Sequence, residues 1–473
     1  MRILFLHRNF PAQFVHLAKH FAQDAQNRVV FITERKDRAI PGVLKAVYKI
    51  PDRNSSSGLF KNVQMQGDAP VPRQLSGKTE SRGVCDNTLS GEVCSATQQM
   101  GVFQQPANTH PYLRFYEEAI LHGQAAARAA LDLKKKGFIP DIIIGHTWGQ
   151  NLFMKDVFPD TPLVGHFEWF YRARVSDVDF DPDKPLTTDT EARVRIKNSH
   201  ILVDLYSCDH GICPTLWQYE QFPPEFRHKI KVIHEGIDTD YFKPDPDAKP
   251  VWPELKLDLS QAKEIVTYVS RGLEPYRGFP QFMEAAELVL KERSGCHIVI
   301  VGEDKVFYGG NLPNGKTYKQ AALEKFTGDP SRLHFTGYIP HDAYRRVLQV
   351  SSAHVYLTYP FVLSWSMLEA MSSGCLVIAS NTPPVREVIR DGENGILFDF
   401  FSPQEIAEKV CYALEHQDGV KEIRKQARET VLGKYDLKRI LPEQIGWIEG
   451  IASTTAETLV WNLALCREAG SNS

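Results

Sequence analysis

Residues 265–302, IVTYVSRGLEPYRGFPQFMEAAELVLKERSGCHIVIVG, decide the fold. The stretch opens on IVTYVS and closes on HIVIVG, two runs that are apolar at nearly every position instead of alternating. A strand covered by helices on both faces reads this way, because neither side of its pleat meets water. Between the runs, Phe282, Ala285, Ala286, Val289 and Leu290 fall at i, i+3, i+4, i+7 and i+8, the apolar stripe of an amphipathic helix. Strand, helix and strand in that order are the unit of a parallel α/β sheet.

Moving outward, the same kind of run recurs at RLHFTG (332–337), HVYLTYP (354–360) and CLVIAS (375–380). A second series lies towards the N-terminus: RILFL (2–6), VVFIT (29–33), DIIIGH (141–146), PLVGHFE (162–168), HGICP (210–214) and KVIHEG (231–236). A long stretch rich in Ala, Leu, Glu and Lys, residues 115–136, reads as a helix within it. The Pro- and Asp-rich PDPDAKPVWPE (244–254) separates the series and reads as part of a linker over 244–262. The expectation is two doubly wound parallel-sheet domains, residues 1–243 and 263–435, followed by a closing segment at 436–473. Residues 52–109 are polar and follow neither a helical nor a strand period. They are expected to form a mobile insertion that adds little to stability.

Composition narrows the function classes. At 473 residues the chain exceeds what one core usually holds. Hydrophobic residues make up 42% and charged residues 24%, and the formal net charge is −3, so a protein that coats nucleic acid is not expected. No apolar run approaches the ~18–20 residues of a membrane span, and the Arg and His of MRILFLHR are too early for a secretion signal. The eight cysteines form no CxxC pair, as expected of reduced thiols in the cytoplasm. Cys208, His210 and Cys213 could suggest a metal, but buried thiols explain them as well, and no metal site is expected.

Three loops carry candidate chemistry. After RILFL comes His7-Arg8-Asn9-Phe10-Pro11 without GxGxxG, which argues against a dinucleotide-dependent dehydrogenase. Open α/β sheets bind ligands at the carboxyl ends of their strands, so Asn9 and Phe10 either border a cleft or form an ordinary connection. Arg271 and Arg277 bracket a turn just before a helix, where forked cationic donors suit phosphate oxygens; solvated loop arginines are the plainer alternative. Ser364 reads as a helix N-cap, with the amides of Trp365 and Ser366 facing the cleft and Glu369 about one and a half turns further on.

Together these loops resemble the donor site of glycosyltransferase family 4. Further matching stretches occur in the family's order: Glu235-Gly236-Ile237-Asp238, Val301-Gly302, Phe335-Thr336-Gly337-Tyr338 and Asp391-Gly392-Glu393-Asn394-Gly395. The resemblance implies a GT-B fold, two Rossmann-like domains facing each other across a cleft. It also implies a retaining, metal-independent transfer from a UDP- or GDP-linked sugar, with no cofactor. Arg271 and Arg277, together with Ser364, Trp365 and Ser366, would hold the diphosphate, and Glu369 the ribose hydroxyls. Phe361, Val362 and Leu363 would lie by the donor sugar. There the sequence departs from the family, since Phe361 stands where a first glutamate usually lies and the usual glycine-rich stretch is bulkier. The family's cleft histidine on the PLVGHFE strand falls on Glu168, with His166 two residues earlier, and these two are the catalytic candidates. The acceptor would be a glycan, lipid or small molecule on the first domain, in a cytoplasmic enzyme with or without contact at the inner face of a membrane. A nucleotide-sugar epimerase and a non-catalytic nucleotide-sugar-binding protein are the rival expectations.

Overall fold

The computed structural model describes residues 1–50 and 109–470, so the insertion expected at 52–109 lies outside the described residues but for its last position. The first sheet has seven strands, β1 (Arg2–Leu6), β2 (Arg28–Thr33), β3 (Val43–Val47), β4 (Ile142–His146), β5 (Leu163–His166), β6 (His210–Cys213) and β7 (Ile230–Val232). All are parallel, in the order β3-β2-β1-β4-β5-β6-β7. Residues 115–136 do form a helix. It is one of seven α-helices among the described residues of this part of the chain: α1 (Val15–Gln23), α2 (Arg114–Lys135), α3 (Met154–Val157), α4 (Thr188–Lys197), α5 (Ser199–Ser207), α6 (Leu216–Tyr219) and α7 (Pro224–Arg227).

The 244–262 stretch is more ordered than a linker. Strands β8 (Val251–Trp252) and β9 (Leu257–Asp258) make an antiparallel hairpin. Trp252 is fully buried beside Ile265 and Val347 and donates its indole N–H to the Ala343 carbonyl, 3.2 Å away. Flanking prolines read as breakers, while one buried tryptophan is enough to dock the segment.

The second sheet has six parallel strands, β10 (Glu264–Gly272), β11 (Cys296–Glu303), β12 (Leu333–Gly337), β13 (Ala353–Tyr356), β14 (Val377–Ser380) and β15 (Ile396–Phe398), in the order β12-β11-β10-β13-β14-β15. Its helices are α8 (Phe279–Glu292), α9 (Tyr318–Lys325), α10 (His341–Gln349), α11 (Trp365–Ser372), α12 (Pro383–Arg386), α13 (Pro403–Glu415) and α14 (Lys421–Lys434). Apolar clusters line both faces of each sheet, as the unbroken hydrophobic runs require. In each sheet the strand order reverses after the first strand, between β1 and β4 and between β10 and β13. Such a switch point opens a crevice at the strands' carboxyl ends.

The chain then returns to the first domain. Helix α15 (Leu437–Gly470) sets Ile448, Ile451 and Ala452 into the cluster formed by Ile3, Phe5, Phe14 and Leu17. Where it leaves the second domain it runs beside the outgoing crossing: the Ile237 amide donates to the Tyr435 carbonyl (2.7 Å) and the Leu437 amide to the Ile237 carbonyl (2.9 Å). Among the described residues, no helix is long and apolar enough to cross a membrane.

Candidate active site

Helix α11 begins where the sequence places it. Ser364 takes extended backbone angles and its side chain accepts the Ser366 amide, an N-cap. The Ser366 amide is therefore committed to the cap rather than turned to the cleft, and the Ser366 side chain is buried. Glu369, one turn on, is also buried and accepts the Tyr344 hydroxyl at 2.6 Å. Burial pushes the Glu369 carboxyl up to about 8, against the opposing pull of that hydroxyl.

The arginine turn lies alongside. Arg277 is buried and sends one nitrogen to Thr358 Oγ1 (2.6 Å) and to the Val362 carbonyl (3.1 Å), bracing the loop that leads into α11. Its Nη2 meets no hydrogen-bond acceptor among the described residues. Arg271 lays its guanidinium over the Phe307 ring at 4.0 Å, and Arg277 lies 5.3 Å from the ring of Tyr308. Between them sits Glu274, fully buried, accepting the amides of Phe307 and Tyr308. Burial pushes its carboxyl up to about 7, although those two amides and both arginines pull the other way. The sequence sets Glu274 between the two arginines; what it did not show is that the carboxyl turns inward and caps two amides.

On the first domain, buried imidazoles converge behind Glu168. Glu168 lies just past β5, and its Oε2 is 3.4 Å from His146 Nε2 at the end of β4. His166 stacks on His146 with ring centroids 5.2 Å apart, and His7 meets His146 edge-on at 4.9 Å. Burial first, then the neighbouring His7 and His166, hold His146 well below the usual imidazole range, so it is neutral. His166 Nε2 lies 3.3 Å from Glu235 Oε1, and the other oxygen of Glu235 accepts the Trp365 indole N–H at 3.3 Å. Burial works to raise the Glu235 carboxyl, but the hydrogen bond from His166 and the charges of His234 and His166 win and hold it low. Glu235 thus bridges a first-domain histidine and the first residue of α11.

Two spaces open between the domains. A gap of about 20 Å³ brings Glu168, Thr215, Gln218 and Glu235 up to Val362, Leu363 and Trp365. That is room for about one water. Beyond Phe361 lies a chamber of about 650 Å³, walled by Arg8, Trp148, Tyr171 and Lys197 on one side and by Tyr276 and Tyr308 on the other. Phe361 packs edge-on against Trp169 (4.9 Å), Tyr276 (5.6 Å) and Tyr308 (5.3 Å), so the aromatic side chain completes a wall where a glutamate would reach into the cleft.

The structure thus gathers Glu168, His166, Val362, Leu363 and Trp365 at one point of the cleft, with Arg277 directly behind the loop. Phe10 does not join them: it is buried against Phe31, edge-on at 4.8 Å, in the first-sheet core, as an apolar ring prefers. Asn9 is buried too, its amide donating to His7 Nδ1 at 2.8 Å. Trp169, next to Glu168, is buried among apolar residues of the second domain, and Arg172 is tied to the backbone carbonyls of Gln221 and Glu220. His146, Glu274 and Lys197 escaped the sequence reading, and Glu235 entered it only as part of a matching stretch, without a role. For His146 the available signal was its place at the end of the DIIIGH strand.

Two family models match in tandem, "Glycosyl transferase family 4 group" over residues 96–242 and "Glycosyl transferases group 1" over 255–430. Spore coat protein SA of Bacillus subtilis (strain 168) is 26% identical over 222 residues, 46% of this chain and 58% of that protein. The D-inositol 3-phosphate glycosyltransferase of Corynebacterium efficiens is 24% identical over 341 residues, 69% of this chain and 76% of that protein. The chain thus spans little more than half the length of the first relative and about three quarters of the second. Among solved structures, Anabaena HepE in complex with UDP-glucose aligns over 97% of this chain and 99% of its own at a TM-score of 0.58, with 15% identity. Sucrose-phosphate synthase from Thermosynechococcus elongatus aligns over 98% and 100% at a TM-score of 0.54, with 14% identity. At those identities the structures speak for the fold, which is GT-B. With both halves of the chain matched in sequence as well, it belongs to the family-4-like glycosyltransferases.

Proposed function

We propose that the chain transfers a sugar, with retention at the anomeric carbon, from a UDP- or GDP-linked donor held by the second domain to an acceptor hydroxyl presented by the first. The observation that carries this reading is the convergence of Glu168 and Glu235 on the capped start of α11, with Arg277 packed beneath the same loop. Negative charge growing on a departing diphosphate needs fixed positive donors nearby. Arg271 and Arg277 supply permanent charge, the Trp365 amide adds the start of α11, and Arg277 Nη2 still has a bond to offer. In this reading Glu369, one turn along α11, takes the hydroxyls of a ribose once the donor is bound. Glu168 faces the other side of the break, where a carboxylate steadies positive charge on the anomeric carbon. The 20 Å³ gap is too small for a diphosphate, so the domains part to admit the donor. The HepE structure, a protein of this fold holding UDP-glucose, supports the choice of donor class.

The test is a nucleotide-sugar panel without acceptor, followed by thermal shifts with UDP, GDP and ADP. Slow release of free sugar with the α or β configuration of the donor, undiminished in excess EDTA, is the expected result. Arg271→Ala and Arg277→Ala should each weaken diphosphate binding by about 1.5–3 kcal/mol. Turnover that chelation abolishes and Mg²⁺ restores would remove the metal-independent part of the reading. Epimerised product, or binding without turnover, would replace it with one of the rivals.

A further inference from the structure

Among the described residues, the wall of the chamber beyond Phe361 carries four cationic side chains, and three of them are neutralised on the spot. Arg8 lies 2.9 Å from Glu118, Lys305 is paired with Glu303, and Lys316 lies 2.7 Å from Glu324. Lys197 differs. Its Nζ sits 3.5 Å from the centroid of the Tyr171 ring and 4.6 Å from that of Phe115, and no carboxylate oxygen of the described residues comes within salt-bridge distance. It closes α4, where a cation suits the helix dipole. That position does not explain why the ammonium folds over two aromatic faces at the edge of an open space. Beyond those ring faces its N–H donors meet no hydrogen-bond acceptor among the described residues.

Resting on the transferase reading above, we propose that Lys197 binds an anionic group, phosphate or carboxylate, on the acceptor, whose ring lies along the aromatic wall of the chamber. The volume of about 650 Å³ is in the range that encloses a ligand of several rings. Aromatic faces such as Tyr171 and Tyr276 suit the C–H face of a sugar or polyol ring. The charge balance around Lys197 agrees. Facing it are Arg8, Glu118 and His122, then Asp177, His200 and Lys305, with Arg193 on its own helix. Arg8 and Glu118 cancel, and burial holds His200 near 4, hence neutral. Asp177 is engaged by the Tyr276 hydroxyl at 2.8 Å. Burial pulls the Lys197 ammonium down to about 8, with Asp177 opposing, so it is charged at neutral pH and poised to lose that charge just above it.

Calorimetric titration of the full chain with glucose 6-phosphate, glucuronate and glucose, each in the presence of UDP, tests the proposal. The wild-type protein should bind at least one anionic probe tenfold or more tightly than glucose, and the better of the two identifies the group as phosphate or carboxylate. Lys197→Met should bring all three probes within twofold of one another while UDP affinity and melting temperature hold. Lys197→Arg should keep the preference, and should keep it above pH 8, where the wild-type preference fades. No preference in the wild type, or a preference that survives Lys197→Met, overturns the proposal. So does a wild-type preference as strong at pH 9 as at pH 7, a readout that needs no Lys197→Met protein. Should UDP fail to bind while the Lys197-dependent preference stands, the transferase reading falls and the anion site remains.

Discussion

Glu168 and Glu369 are both buried carboxyl groups, yet their surroundings give them different work. Glu168 has a neutral imidazole 3.4 Å away and faces α11 across a narrow gap. If it steadies charge at the anomeric carbon, Glu168→Gln should lower turnover on the order of a hundredfold, with donor affinity nearly unchanged in the same titration. Among the described residues Glu369 meets the Tyr344 hydroxyl alone, and burial lifts it from 4.5 to about 8. Between those values the folded protein holds a proton that the unfolded chain has released, so this group's contribution to stability is complete below about pH 4.5 and is lost as pH rises towards 8. Gln cannot ionise and still accepts the Tyr344 hydroxyl. Glu369→Gln should therefore gain stability relative to wild type from pH 5 to pH 8, by urea unfolding at each pH, while UDP affinity falls. A stability difference that does not grow with pH would place the ionisation elsewhere.

The turn that carries Arg277 into α8 depends on a single glycine. Gly278 has φ +62°, in the left-handed region, and a Cβ there would stand 2.4 Å from Leu357 Cδ2 and 2.5 Å from Leu357 Cβ. Gly278→Ala combines backbone strain of about 1–3 kcal/mol with that clash. It should lower the melting temperature by several degrees and weaken UDP binding, because Arg277 moves with the turn. Elements of this local kind were legible in the chain: the apolar runs of β10 and β11, the stripe of α8 and the cap at Ser364 are each written within a dozen residues. Strand β3 was less so, since Lys45 interrupts its apolar pattern. What stayed hidden were pairings across the sequence. His146 and Glu168 come from neighbouring strands, Glu235 and Trp365 from opposite domains. Phe10 and Trp252 misled for a shared reason: a loop or linker composition says nothing about a large ring finding a core.

At the scale of the molecule, the domains are held together by polar contacts as well as aromatic ones. Glu387, just past α12, accepts the amides of Leu216 (2.8 Å) and Trp217 (2.7 Å) at the start of α6. Tyr276 and Tyr359 donate to Asp177 and Asp181, while Phe180 lodges against Tyr359, Phe400 and Phe401. Bonds to a charged acceptor are worth about 1.5–3 kcal/mol, so Glu387→Ala should speed amide hydrogen exchange at Leu216 and Trp217 by tenfold or more. Unchanged exchange would mean that the clasp adds nothing to closure. The return of α15 to the first sheet sets an order of events during synthesis. The last strand of that sheet, β7, ends at Val232, but part of its covering, Ile448 and Ile451, is encoded more than two hundred residues later. At roughly 5–20 residues per second, a nascent chain carries the apolar patch around Ile3 and Phe5 open to water for tens of seconds while the whole second domain is translated. Shortening the chain at residue 436 would make that delay permanent, and the first domain, otherwise intact, should collect in aggregates or on chaperones.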